Sequence, residues 1–383
     1  MIEIKSQRNN FFRHFGLKAT LHSFAPGRIN LLGEHVDYLG GKVLPAAIDK
    51  GISAIGAPAQ EGPLRIFSLD LHEELCWESS TLNGPVPEGW QAYPWGVLKE
   101  LAALAVPWHG GQLMICGDLP AGAGLSSSAA LNVALIDYFL AAAEKEMSGQ
   151  ERALLAQRVE NRHIGTACGI MDPFASIHGE IGKVLELDCQ TLEYRAVALH
   201  PTASTWILLN SMVSHKLGAD YNSIRAELES AREKLGGRSL VTMDIETLRS
   251  CKNKLTESEY RRASYVIGEI RRTAAFIDAM QAGHSEQMGI LLRETHQGLS
   301  RDLRVSTPEL DALVEIAEGV PGWYGGRMMG GGFGGCTLNL VASENSESFL
   351  KRLRSEFQKR FGMEPLSYPV TIGAGASVEL LEE

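Results

Sequence analysis

No stretch of the chain is apolar for long enough to span a bilayer, and no signal-type apolar segment opens it. Cys-x-x-Cys and zinc-type spacings are also missing: Cys76, Cys116, Cys168, Cys189, Cys251 and Cys336 lie far apart, which excludes the common dithiol and zinc motifs. Most of these cysteines sit in apolar runs, which predicts small, reduced, buried side chains. Positive charge is in deficit, with 36 Lys and Arg against 46 Asp and Glu and a net charge of −10. That balance argues against broad binding to nucleic acid or to anionic membranes. Internal repeats, a low-complexity tail and a Pro/Gly/Ser-rich linker are absent too. The 383 residues, 44% hydrophobic and 21% charged, therefore predict a cytoplasmic protein of two closely packed domains. With no exposed-looking apolar stripe, a monomer is expected.

The informative stretches are rich in glycine and serine. Gln112 to Ile115 reads as a strand, and Leu131, Ala134, Leu135 and Tyr138 have the spacing of a helix buried along one face. Between them runs Leu119-Pro-Ala-Gly-Ala-Gly-Leu-Ser-Ser-Ser-Ala-Ala-Leu131. A strand, a glycine loop and a helix start bring free amides and the positive end of a helix dipole together, which suits a phosphate. An ordinary capped helix after a glycine turn fits the same letters. The loop is not of the Walker type, because no Gly-Lys-Ser/Thr follows the glycines.

Upstream, Arg28, Glu34, His35, Asp37 and Tyr38 crowd one glycine-flanked turn. Such a set of donors and acceptors suits the hydroxyls of a sugar, although a solvated loop with a local ion pair would look alike. A metal on Glu34, His35 and Asp37 is the weaker option, since adjacent residues point apart. Asp172, set among Cys168, Gly169, Ile170, Met171 and Phe174, is either a helix cap or a working carboxylate in a poorly solvated pocket. Helices are predicted over 1–16, 90–106, 150–163, 215–235, 257–282, 285–299, 308–318 and 345–361, and one last strand over Val370 to Leu381. Seven glycines between 325 and 335 predict a structured loop close to a ligand or another backbone.

Several of these segments match one pattern. Arg28-Ile-Asn-Leu-Leu-Gly-Glu-His-Val-Asp-Tyr38 resembles the galactokinase signature. Leu119 to Leu131 resembles the phosphate loop of the GHMP kinase superfamily, and Gly325 to Thr337 its third, glycine-rich motif. Cys168 to Asp172, Leu187 to Leu192, His215 to Glu229 and Thr307 to Asp311 are similar to the same family. The resemblance covers nearly the whole chain in the expected order. It implies an α+β, two-domain GHMP kinase fold with the active site in the cleft between residues 1–195 and 196–383.

The resemblance further implies an enzyme that phosphorylates the anomeric hydroxyl of galactose, with ATP as co-substrate and Mg²⁺ as cofactor. Glu34, His35, Asp37, Gly169 and Tyr221 would bind the sugar, with Asp172 as general base and Arg28 beside it. Gly122, Ala123, Gly124, Leu125, Ser126, Ser127 and Ser128 would wrap the phosphates, with Ser128 and Glu160 reaching Mg²⁺. No nucleic acid or membrane partner is implied. The chain departs from the family pattern at Leu39, Asn132, Pro173, Ile224, Gly326 and Met329. Several of these border the expected sugar pocket, so a kinase of N-acetylgalactosamine or another galactose-type sugar is the alternative, and a non-catalytic galactose and ATP sensor a more distant one.

Overall fold

The computed structural model describes residues 3–120, 124–166, 168–200, 203–214 and 219–382. The first half runs α1 (Ile4–Phe15), β1 (Leu21–Asn30), β2 (Lys42–Val43), β3 (Pro45–Ala59), β4 (Leu64–Ser68) and β5 (Glu73–Trp77). It continues with α2 (Ala92–Ala103), β6 (Gly110–Gly117), α3 (Ser127–Ala142), α4 (Gly149–Val159), α5 (Met171–His178), β7 (Lys183–Asp188) and β8 (Tyr194–Ala198). The second half opens with β9 (Ser204–Asn210), α6 (Ala219–Lys234), α7 (Ile245–Ser250), α8 (Glu257–Gln281), α9 (Ser285–Gly298) and α10 (Pro308–Glu318). Then come β10 (Trp323–Met328), β11 (Cys336–Ala342), α11 (Ser346–Phe361), β12 (Leu366–Val370) and β13 (Ser377–Leu380).

The strands form a six-stranded sheet ordered β13-β1-β3-β6-β4-β5, a four-stranded sheet ordered β10-β11-β9-β12, and a small sheet β2-β7-β8. Pairing is antiparallel except between β4 and β6. Alternation along the strands explains the layering. On β6, Leu113 and Ile115 face the helical layer that contains Leu135 and Phe139 of α3, while Met114 and Cys116 lie under Phe11 of α1. On β9, Trp206 and Leu208 face α8 and α9, while Ile207 and Leu209 face α10 and α11. Side chains from both halves join one core: Ile29, Leu31 and Leu44 pack with Leu208, Met280 and Leu338. No helix of the described residues is long and apolar enough to cross a membrane.

Helix starts follow their caps. Ser148 with Glu151 and Thr256 with Glu259 form capping boxes for α4 and α8, and Thr307 caps α10 ahead of Pro308. Three expectations need correction. α3 is buried almost all round rather than along one face, because it lies between the sheet and α2, α4 and α5. The helix predicted over 150–163 ends as α4 at Val159 and gives way to a π-turn, Glu160–Ile164. The single last strand is two. β12 stays in the second sheet, and a glycine-bearing crossover, with Gly373 N–H donating to Ala47 and Gly375 N–H to Gly179, delivers β13 to the edge of β1. A fourth expectation fails in part: the six cysteines are all free, but only Cys116 and Cys336 are buried, and Cys76 is exposed.

Candidate active site

β1 ends by delivering Arg28 to the floor of a cleft, and the turn after it carries Glu34, His35 and Asp37 into the same space. The start of α3 brings Ser126, Ser127 and Ser128, the π-turn brings Glu160, the segment ahead of α5 brings Gly169, and the first turn of α5 brings Asp172. Tyr221 and Asn222 of α6 and the backbone of Gly330 and Gly331 close the far side of a cavity of about 350 Å³. Gly124 and Leu125 line it as well. All the predicted site residues that are described thus meet in one cavity; Gly122 and Ala123 lie outside the described residues.

At its centre, the Asp172 carboxylate grips the Arg28 guanidinium. Arg28 Nε donates to Oδ1 at 2.9 Å and Nη2 to Oδ2 at 3.0 Å, while Nη1 donates to the Gly124 carbonyl at 2.6 Å. Ser126 Oγ donates to Asp172 Oδ2 as well. Asp172 sits in the first turn of α5 without capping the helix, and it lines the cavity. Pro173 follows where a helix has no backbone bond to offer its missing N–H, so it fits without strain.

The residues of the turn after β1 are tied down by hydrogen bonds and burial. Glu34 is buried and accepts from Arg327 Nη1 at 2.8 Å and from Gly330 N–H at 2.9 Å. Burial alone would raise its pKa, but Arg327, Arg28 and the Gly330 amide bring it below the usual carboxylate range. His35 is pushed down to about 4 by burial, and its two nitrogens meet Tyr38 Oη at 3.1 Å and the Gly331 carbonyl at 3.2 Å. Burial and then the charge of Asp172 raise Asp37 to about 7. Gly169 has to be glycine: a Cβ there would stand 1.9 Å from Asp37 Oδ2. Tyr221 packs against His35 and Tyr38, with ring centroids 5.4 and 5.7 Å away.

On the other side of Asp172, Ser128 lies beside Glu160, and burial lifts that carboxyl to about 7. Asn132 Nδ2 donates to Glu160 at 3.3 Å, and its Oδ1 has no partner among the described residues. Among those residues no cluster of three His, Cys, Asp or Glu could hold a metal by itself. A buried carboxylate and a hydroxyl fit Mg²⁺, which takes oxygen ligands and completes its shell with phosphate oxygens and water.

Most of the departures from the family pattern turn away from the cavity. Leu39 and Ile224 pack into the core that contains Leu135 and Phe139 of α3, and Met329 into the core where Ile29 and Leu31 meet Leu208 and Leu338. A side chain at Gly326 would strike Asn339 Oδ1, 2.3 Å from its Cβ. Only Pro173 lines the cavity. Two supporting residues escaped the sequence reading. Arg327, fully buried on β10, also donates to the carbonyls of Leu31, Met328 and Asn30. Glu269 of α8 accepts from Gly33 N–H at 2.9 Å and Glu34 N–H at 3.3 Å. The signals were an arginine inside a glycine run and a carboxylate on the apolar stripe of α8.

Comparison with known proteins gives the arrangement its lineage. The galactokinase galactose-binding signature matches residues 9–58, the GHMP kinase N-terminal domain residues 92–180, and the GHMP kinase C-terminal domain residues 276–359. The chain is 37% identical to a galactokinase of Chloroflexus aggregans, with 98% of each chain covered, and 36% identical to the galactokinase of Homo sapiens, with 91% of each covered. Among solved structures, Lactococcus lactis galactokinase complexed with galactose superposes with a TM-score of 0.92 at 30% identity, covering 98% of this chain and 99% of that one. The Methanococcus jannaschii mevalonate kinase, at 20% identity and a TM-score of 0.69, shares the fold. The chain belongs to the galactokinase family of the GHMP kinases.

Proposed function

We propose that the chain transfers the γ-phosphoryl group of ATP to the anomeric hydroxyl of galactose, yielding galactose 1-phosphate and ADP. The observation that carries this reading is the Arg28-bound carboxylate of Asp172, lying between the Glu34, His35 and Asp37 turn and the serine loop. Phosphoryl transfer asks the protein mainly for positioning and charge stabilisation. Asp37 and Glu34 accept from sugar hydroxyls, His35 and Tyr221 wall the ring, and the Gly169 backbone lets it approach Asp37. Asp172 takes the proton of the anomeric hydroxyl as its oxygen bonds to the γ-phosphorus and the bond to the ADP oxygen breaks. Arg28 holds the Asp172 carboxylate in place through two hydrogen bonds and adds positive charge beside the transferring group.

Gly122 to Ser127 wrap the phosphates, and Leu125 contributes its backbone, since its side chain is buried in the core. Ser128 and Glu160 hold Mg²⁺, which when bound neutralises the phosphate charge. Glu34 stays ionised at neutral pH and would repel the carboxylate of galacturonate, which disfavours that acid as substrate. The protein acts as a cytoplasmic monomer, in keeping with its free cysteines; sedimentation of the purified protein checks its oligomeric state.

The test is coupled ATP turnover with Mg²⁺ over galactose, 2-deoxygalactose, N-acetylgalactosamine, glucose, galacturonate and arabinose. Turnover with galactose far above glucose is expected, whereas activity confined to another sugar would overturn the substrate but keep the chemistry. Asp172→Asn is expected to lower kcat by roughly 10²–10⁴-fold, the usual contribution of a general base. Near-normal turnover of that variant would remove Asp172 from the role. Binding of galactose and ATP without any turnover would point to a sensor.

A further inference from the structure

Ser126 stands out from the serines that follow it. It precedes the first turn of α3 with φ at +59°, a left-handed conformation that serine rarely adopts. Its hydroxyl does not cap the helix; it donates to Asp172 Oδ2 instead. That oxygen already accepts from Arg28 Nη2 at 3.0 Å, so both of its lone pairs are engaged. The same few residues of the loop are tied to Arg28 twice more: Nη1 donates to the Gly124 carbonyl at 2.6 Å, and the Arg28 N–H donates to the Leu125 carbonyl at 3.2 Å. The loop expected to receive the nucleotide phosphates is thus stitched directly to the group expected to receive the sugar hydroxyl.

We infer that Ser126 is a positioning residue that links the two substrates: its hydroxyl holds Asp172 Oδ2 when no nucleotide is bound and turns to a phosphate oxygen when one is. The inference rests on the phosphoryl-transfer reading above. A hydroxyl has one proton to donate and cannot serve carboxylate and phosphate together. A phosphate oxygen at the start of α3 is the stronger claimant, because it carries more negative charge than a carboxylate oxygen and the positive end of the helix dipole favours it there. Release of Ser126 leaves Asp172 Oδ2 with a free lone pair for a sugar hydroxyl at the moment ATP is in place. Sugar binding, which uses the same carboxylate, is then favoured by nucleotide. Linkage makes the effect reciprocal, so sugar favours nucleotide by the same factor.

Isothermal titration of galactose, with and without Mg²⁺ and a non-hydrolysable ATP analogue, tests this on the whole protein. For the parent chain the saturating analogue is expected to tighten galactose binding about tenfold, the scale of one charge-assisted hydrogen bond. Ser126→Ala is expected to bind galactose without nucleotide about as tightly as the parent does with it, and to gain nothing further from the analogue. Ser126→Gly removes the same hydroxyl while suiting the left-handed backbone, and is expected to behave alike even if the alanine variant folds poorly. Parent-like coupling in the two variants would overturn the inference, as would galactose binding weakened equally with and without nucleotide. Absence of coupling in the parent would do so too. Failure of the parent chain to bind galactose or the analogue at all would instead bring down the kinase reading, and this inference with it.

Discussion

Gly169 and Asp37 show how little tolerance single residues of the site have. Gly169→Ala would set a methyl group 1.9 Å from Asp37 Oδ2 and 2.8 Å from its Cγ, too close for the carboxylate to stay where it is. Galactose affinity measured by calorimetry is expected to fall by at least tenfold, while affinity for the ATP analogue stays within about twofold, since neither residue touches the serine loop. Asp37 also gives a pH signature. Its pKa is raised to about 7 in the folded chain by burial and by Asp172, against about 4 in an unfolded one. The folded state therefore holds the extra proton between those values, and stability falls as pH rises through 7. Asp37→Asn, which cannot ionise, is expected to melt higher than the ligand-free parent at pH 8 and to lose that advantage near pH 4. A melting series across this range, with galactose binding lost at every pH, checks both statements.

Elements set the positions that these residues need. β1 ends at Asn30 and carries Arg28 to the cleft, and the other end of the strand is guarded by β13, where Leu21 pairs with Leu380 and His22 meets Glu379 at 2.9 Å. Deleting residues 377–383 uncovers that edge. The melting temperature is expected to drop, while the KM for galactose stays near the parent value, because the deleted strand pairs with Leu21 to Phe24 and not with Arg28. A large rise in KM would show that the strand also aligns the site. The fate of β13 was hidden in the sequence. Val370 to Leu381 reads as one strand because the switch between sheets is made by contacts of Gly373 and Gly375 with Ala47 and Gly179, far back in the chain. The long helices were legible since their apolar spacing is local, as with Phe349, Leu353 and Phe357 of α11. The cleft residues were legible as motifs, each compact in sequence. Arg327 and Glu269 were not, because their partners stand hundreds of residues away and no local pattern reports such a pairing.

At the scale of the molecule, the two halves share a core and a buried ion pair. Ile29 and Leu31 share a core with Leu208 and Leu338, and the buried pair Glu34–Arg327 crosses between the halves directly beneath the sugar turn. Arg327→Met would leave the Glu34 carboxylate without its buried cation, a loss of about 3–5 kcal/mol by analogy with other buried pairs. The variant is expected to melt well below the parent and to bind galactose weakly, with calorimetry and thermal denaturation as the readouts. The double variant Arg327→Met with Glu34→Gln is expected to recover part of the stability but none of the sugar affinity.

That crossing also limits how such proteins can be recombined. Any chimera that takes the galactose turn from one parent and the glycine-rich hairpin from another inherits a guanidinium and a carboxylate fitted to different neighbours, along with carbonyls of Asn30 and Leu31 awaiting a donor. Breeding new sugar preferences into this scaffold by swapping only its first half would yield misfits. The exchangeable unit is the turn together with the strand that anchors it, two pieces separated by nearly three hundred residues of sequence.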